Sequence, residues 1–153
     1  MIAIREGGLD HPAVRALLLL HMAEARASTP RENAHALGAD AVATSGARFF
    51  TAWAGDRLLG MAALREVQPG HSELKSMRTA PDALRQGVAR ALLVHLMVQA
   101  QAAGWRRLSL ETGTAPMFRP ANRLYETAGF RDGPVFGGYP ESAHNRFMTL
   151  RLS

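Results

Sequence analysis

A chain of 153 residues has the length of one domain, and an apolar content of 47% with 20% charged residues excludes a disordered polymer. With no cysteine there is no disulfide, no thiolate nucleophile and no cysteine-ligated metal, and the six histidines lack HxxxH or HExxH spacing, so no metal site is expected. The net charge of +5 asks for an anionic partner, but of 18 lysine and arginine residues only Lys75 is lysine, and the arginines are scattered, with Arg106-Arg107 the one adjacent pair. A nucleic-acid protein more often carries a run or stripe of them, so a polyanionic small molecule fits better and no nucleic acid is expected.

Met1 to Arg5 alternates weakly and predicts a short first strand. Asp10 is a plausible helix cap with Pro12 in the first turn, opening a helix over Ala13 to Arg26 with Val14, Leu17, Leu18 and Met22 on one face. Arg5 and Glu6 come too early for a signal peptide, and the first long apolar run, Ala13 to Ala23, is broken by Arg15 and His21 and is too short to span a bilayer, so the chain reads as cytoplasmic with no membrane partner. Ser28-Thr29-Pro30 ends the helix. Arg31 to Asp40 predicts a second short one, with Ala34, Leu37 and Ala41 inward, and Thr44-Ser45-Gly46 a turn.

Strands follow. Arg48 to Ala54 and Leu58 to Val67 form a hairpin about Gly55-Asp56, Gln68-Pro69-Gly70 turns the chain again, and Ser72 to Thr79 is a third strand. Phe49, Phe50 and Trp53 read as core rather than as a ligand stack. From Gly87 the apolar positions Val88, Leu92, Leu96, Ala100 and Ala103, widened by Leu93 and Met97, have helical spacing, and Gly104 ends the helix. Trp105 to Glu111 is a strand, Pro120 to Ala128 a helix stopped by Gly129, and Phe130 and Arg146 to Leu152 are closing strands around a glycine-rich loop from Gly133 to Pro140. No repeat, low-complexity segment or linker divides the chain, so residues 1–153 are expected to be one domain.

The strand at 72–79, the helix and the strand at 106–111 make one βαβ unit, expected to be right-handed and parallel. Ligands of open α/β sheets bind beyond the carboxyl ends of such strands. This puts Arg85-Gln86-Gly87-Val88-Ala89-Arg90 at the mouth of a cleft. Unpaired N–H groups and the dipole at the helix start favour a phosphate or pyrophosphate there, with Gly87 and Ala89 allowing close approach and Arg85 and Arg90 adding charge.

Three segments, Glu73-Leu74-Lys75-Ser76-Met77, the loop Arg85 to Arg90, and Leu124-Tyr125-Glu126-Thr127-Ala128-Gly129-Phe130, together resemble the GCN5-related N-acetyltransferase (GNAT) family over about Arg48 to Leu152. Gly87 and Ala89 match the last two positions of the family's Gln/Arg-x-x-Gly-x-Gly/Ala loop, while Leu84 occupies the first and Phe118 stands where an asparagine is often seen seven residues before the tyrosine. The resemblance implies an α/β fold, a mixed and mostly antiparallel sheet whose central parallel pair splays to hold coenzyme A. It implies acetyl-CoA as acyl donor, held by Met77, Arg78 and Thr79, by Arg85, Gln86, Gly87, Val88, Ala89 and Arg90, and by Asn122 and Tyr125. It also implies a homodimer paired through the C-terminal strands.

An amine attacks a thioester as free base, yet alkyl amines titrate near ~10, so the site must accept a proton. Glu73 is the first candidate, where some relatives place a catalytic glutamate; the alternative is an exposed strand carboxylate paired with Lys75 or an arginine. Glu111 is the second, and otherwise a solvated or capping carboxylate. Tyr125 is the family's candidate acid for the leaving thiolate, and otherwise a helix tyrosine packed on Phe130. A strand N–H near Met77 or Arg78 would hold the oxyanion. The segments Glu24 to Asp40 and Phe136 to Asn145 face the acceptor side, where Glu32, His35, Glu111, Tyr139 and His144 are the polar groups that could meet it, and Arg31 points to a carboxylate-bearing acceptor such as an amino acid. The leading expectation is an acyl-CoA-dependent N-acetyltransferase acting on a small primary amine or amino-acid-like acceptor by direct attack in a ternary complex. A protein or peptide acceptor, or a non-catalytic acyl-CoA-binding module, are the alternatives.

Overall fold

The computed structural model describes residues 1–28 and 38–152. Seven strands form one sheet in the order β1-β2-β3-β4-β5-β7-β6, with β1 Ala3–Glu6, β2 Arg48–Ala54, β3 Arg57–Gln68, β4 His71–Thr79, β5 Arg107–Gly113, β6 Arg131–Asp132 and β7 Asn145–Arg151. Every neighbouring pair is antiparallel except β4 and β5. The hairpin turns fall where the glycines predict them: Gly55 (φ 60°) joins β2 to β3 and Gly70 (φ 77°) joins β3 to β4.

Strand alternation divides the apolar residues between two faces. Phe50, Ala62, Leu64, Leu74, Leu108 and Leu110 form one core with Val88, Leu92, Leu93 and Leu96 of helix α3 (Val88–Ala102) and Tyr125 of α4 (Arg119–Thr127). Phe49, Trp53, Met61 and Ala63 form the other with Val14, Leu17 and Leu18 of α1 (Pro12–Ser28) and Val42 of α2 (Ala39–Thr44). The three strand aromatics are core, as their sequence context predicts.

Two helix starts differ from expectation. Helix α1 is capped by the His11 ring, whose Nδ1 accepts the Ala13 N–H at 3.1 Å, because Asp10 lies one residue too early to reach it. Helix α2 begins at Ala39 after the extended Gly38 and runs through Thr44, where a turn is expected; residues 31–37 of the anticipated helix lie outside the described residues.

Helix α3 sits close against β3 because Gly60 has no side chain. A Cβ there would lie 2.9 Å from the Arg78 carbonyl oxygen and from Val88 Cγ1, and 3.2 Å from Leu92 Cδ1. Gly60→Ala is therefore expected to destabilise the protein by roughly 1–3 kcal/mol, the usual cost of forced overpacking. A urea midpoint equal to that of the parent chain would show that the helix can move away freely.

Candidate active site

The parallel pair closes at one end only. Its register runs from His71 opposite Arg107 to Leu74 opposite Leu110 and stops there, while β4 continues to Thr79 and β5 to Gly113. The cause lies in β4. Its pairing with β3 slips by one residue between Lys75 (opposite Ala63) and Arg78 (opposite Met61), a bulge centred on Ser76, which has φ 56°. A bulge bends its strand and ends local pairing, so the two strands diverge from Lys75 and Glu111 onward.

Beyond this opening β4 runs on into the start of α3, whose Val88 packs at Gly60, across from Thr79. Arg85 (φ 63°) and Gly87 (φ 80°) both take left-handed backbone, and the former costs roughly 1–2 kcal/mol in a residue with a Cβ. Gly87 is the N-cap, with no side-chain cap and no acidic residue in the first turn. The first intrahelical bond is Ala91 N–H to Gly87 O, so the N–H groups of Val88, Ala89 and Arg90 have no partner within the helix. Val88 is buried as the helix's anchor and offers only its backbone; Leu84, Arg85, Gln86, Gly87 and Arg90 are exposed. A Cβ on Gly87 would meet nothing within 4 Å, so the space over the turn is open. This is the donor set that an anionic phosphate needs. On β4, Met77 packs toward the α3 core, Arg78 pairs with Glu24 of α1, and Thr79 lies opposite Gly60.

On the α1 face, the closed end of the pair carries a charged network. Glu73 is only 1% exposed. Its Oε1 accepts from Arg65 at 2.9 Å and its Oε2 from the Tyr139 hydroxyl at 2.7 Å. The same hydroxyl accepts from Lys75 Nζ at 2.6 Å, and that nitrogen lies 3.8 Å from Glu73 Oε2. Burial lowers the Lys75 pKa against the pull of Glu73 and Glu111, and burial with the Glu73 charge raises that of Tyr139. Glu111 accepts from Asn145 at 2.8 Å, and His71 Nε2, Ser109 and Thr149 run in a hydrogen-bonded chain across β4, β5 and β7. His21 of α1 lies near Arg78 and Lys75, and burial holds its pKa down at about 4. Among the described residues, His21 Nδ1, Arg65 Nε and Ser76 Oγ are buried without a hydrogen-bond partner.

Tyr125 lies on the other face, in the α3 core. Its ring is 5.9 Å from that of Phe130, and burial raises its pKa to about 12. Glu73 and Tyr125 thus stand on opposite sides of the opening. Asn122 ties α4 to the end of β5: its Nδ2 donates to the Gly113 carbonyl at 3.1 Å and its Oδ1 accepts from Thr112 at 2.8 Å. Phe118 covers Gly113 so closely that a Cβ there would fall 2.2 Å from the ring.

Glu73 pairs with an arginine and with Lys75, as one reading of the sequence has it, but it is buried rather than exposed. Tyr139, expected among the groups that could meet an acceptor, joins Glu73 to Lys75 through its hydroxyl. Glu32 and His35 lie outside the described residues, and His144 is exposed. Sequence reasoning missed Arg65 and Asn145. Arg65 stands directly across from Glu73 only because the register slips by one residue between Glu66 and Gln68; carried outward unshifted from Pro69-Gly70, the hairpin would set Glu66 there, so no local signal picks out Arg65.

A mixed sheet with one parallel pair that opens beneath an uncapped helix start, above a buried carboxylate network, is the frame of an acetyltransferase fold. The chain belongs to the Acetyltransferase (GNAT) family, whose model matches residues 14–130. It is 41% identical over 152 residues to the uncharacterized N-acetyltransferase YedL of Escherichia coli (strain K12), covering 99% of this chain and 96% of that one. It is 42% identical over 132 residues to the uncharacterized N-acetyltransferase YsnE of Bacillus subtilis (strain 168), covering 86% and 87%. An acetyltransferase of Bacillus subtilis solved in complex with CoA shares the fold, with a TM-score of 0.75 at 20% identity over the whole of both chains. Among the described residues no helix is long and apolar enough to cross a membrane.

Proposed function

We propose that the protein transfers the acetyl group of acetyl-CoA to a primary amine of a small or amino-acid-like acceptor, by direct attack in a ternary complex. The observation that carries this reading is that β4 and β5 stop pairing at Lys75 and Glu111 while β4 runs on toward the open start of α3. The unpaired edges around Met77, Arg78 and Thr79 offer backbone partners to the pantetheine arm, and the N–H groups of the 85–90 turn hold the pyrophosphate. The relative solved with CoA supports the same donor.

The acceptor enters from the α1 face, between the Lys75–Tyr139–Glu73 network and Glu111. Its ammonium gives a proton to Glu73, through the Tyr139 hydroxyl that already donates to Oε2. The nitrogen then attacks the thioester carbonyl, and the leaving thiolate is protonated from the opposite side by Tyr125. That phenol, shifted up to about 12, stays protonated across the working range of an amine acetyltransferase.

Calorimetric titration with acetyl-CoA, with free CoA and ATP as controls, tests the donor site. Saturable acetyl-CoA binding with ATP much weaker is expected, and no binding of any CoA species removes the enzyme reading. Tyr125→Phe is expected to lower turnover about 100-fold and to leave acetyl-CoA affinity unchanged. Thiol release at the parent rate would take Tyr125 out of the acid role.

A further inference from the structure

We infer that Lys75 is a self-acetylation site: when no other amine fills the acceptor side, its Nζ takes the acetyl group from acetyl-CoA bound in the adjoining gap. The inference rests on the proposed acetyl-CoA site and adds to it a second acceptor, one built into the chain.

The position is the first argument. Leu74 opposite Leu110 is the last rung of the parallel pair, so Lys75 and Glu111 are the residues at which the gap begins. The Lys75 side chain is only 12% exposed and lies on the same face as Glu73, the face assigned to the acceptor. Its amine is held rather than left to swing in solvent: Nζ donates to the Tyr139 hydroxyl at 2.6 Å and lies 4.9 Å above the centre of that ring.

The second argument is the path for the proton. Nζ, the Tyr139 hydroxyl and Glu73 Oε2 form an unbroken chain with steps of 2.6 and 2.7 Å, while Arg65 holds the other oxygen of the carboxylate. This is the relay proposed for an external amine, already connected to an amine of the protein. The groups around Nζ are Arg65 from β3, Glu73 from β4 itself, Glu111 from β5, Tyr139 from the loop before β7, and His21 from α1, beside which stand Glu24 and Arg78. Burial outweighs the carboxylates and lowers the pKa of Lys75 from 10.5, which raises the fraction present as free base.

The step balances. The Lys75 ammonium passes one proton through Tyr139 to Glu73. The free amine attacks the thioester carbonyl, the N–C bond forms as the C–S bond breaks, and the second proton leaves with the CoA thiol. Glu73 returns its proton to solvent. The product is an amide without charge, which ends the ion pair with Glu73 and places the acetyl group where an acceptor would sit, so modified chains are closed to other amines.

Because Lys75 is the only lysine, the test is simple. The purified protein is incubated with acetyl-CoA, without added amine, and followed by intact mass and peptide mapping, with acetyl-CoA binding measured on the same preparation by calorimetry. One acetyl group per chain at Lys75 is expected. Tyr139→Phe should slow its appearance about 100-fold, and Lys75→Arg should abolish it. Peptide mapping separates Lys75 from any label on the α-amino group of the chain. Saturable acetyl-CoA binding with Lys75 unmodified overturns the inference and leaves the donor site standing; absence of binding overturns both. Equal labelling in Gly87→Glu would mark the reaction as uncatalysed and also overturn it. A readout free of CoA is the single side-chain signal of isotope-labelled lysine. It should titrate below the ordinary lysine value of 10.5, and titration at or above that value overturns the inference.

Discussion

Gly87→Glu is expected to weaken acetyl-CoA binding by at least about 100-fold, equivalent to about 2.7 kcal/mol. Two effects combine. Gly87 has φ 80°, and a residue with a Cβ pays roughly 1–2 kcal/mol to remain there. The new carboxylate would also stand at the helix start, among the N–H groups of Val88, Ala89 and Arg90 that the reading gives to the pyrophosphate. At a partly solvated site, two like charges about 4 Å apart repel by about 4 kcal/mol. A carboxylate at a helix start is otherwise favourable to the helix, and the space over Gly87 is open, so the loss should appear in binding much more than in folding. Gly87→Ala separates the two effects, since it carries the backbone cost without the charge, and should retain most of the affinity. Calorimetry on both variants, with thermal melts as the folding control, decides the matter. Unchanged affinity in Gly87→Glu would place the phosphates elsewhere.

What the sequence disclosed, and what it withheld, follows the range of the interactions. The hairpin about Gly55, the turn at Gly70 and the helix between Gly87 and Gly104 are local: periodicity and the backbone freedom of glycine are enough to find them, and their bounds fall within one or two residues of the observed elements. The left-handed turn before α3, to which the proposed function gives the pyrophosphate, is legible for the same reason, because its backbone N–H groups need no particular side chain. The bulge is not. Ser76 with φ 56° is an unusual conformation for serine, imposed by the one-residue slip against β3, and no local signal announces it. Yet it is this residue that opens the parallel pair. The charged network is likewise invisible along the chain, since Tyr139 reaches Glu73 across 66 positions and Lys75 across 64. Glu73 alone looks like an ordinary exposed strand residue, because the glutamate gives no hint that a tyrosine from a glycine-rich loop will cover it. Even Arg65 is hidden, because a second register slip, between Glu66 and Gln68, moves it by one residue to stand across from Glu73.

That network makes Glu73 the residue whose replacement should have the largest effect on turnover. Glu73→Gln keeps the shape and removes the charge. The amide oxygen can still accept from Arg65, but the amide nitrogen then faces the Tyr139 hydroxyl as a donor, so that hydroxyl can no longer donate at this position and would have to accept from it as well as from Lys75. No proton can be taken up at this position. Thiol release with the amine selected by an acceptor screen should fall by about 100- to 10,000-fold, the usual contribution of a positioned base, while acetyl-CoA affinity holds, since Glu73 lies on the face away from the cofactor turn. Stability should fall as well. Breaking a buried ion pair costs roughly 3–5 kcal/mol when the remaining charge is fully enclosed; Arg65 keeps 29% of its side chain in solvent, so roughly 2 kcal/mol is the expected loss, read from the urea midpoint. The double variant Glu73→Gln with Arg65→Met removes the orphaned cation and should recover most of that stability without recovering turnover. Such a divergence assigns Glu73 to the chemistry as well as to the fold. If Glu73→Gln turns over like the parent, the base is elsewhere, and Glu111, at the same threshold of the gap, becomes the carboxylate to replace next.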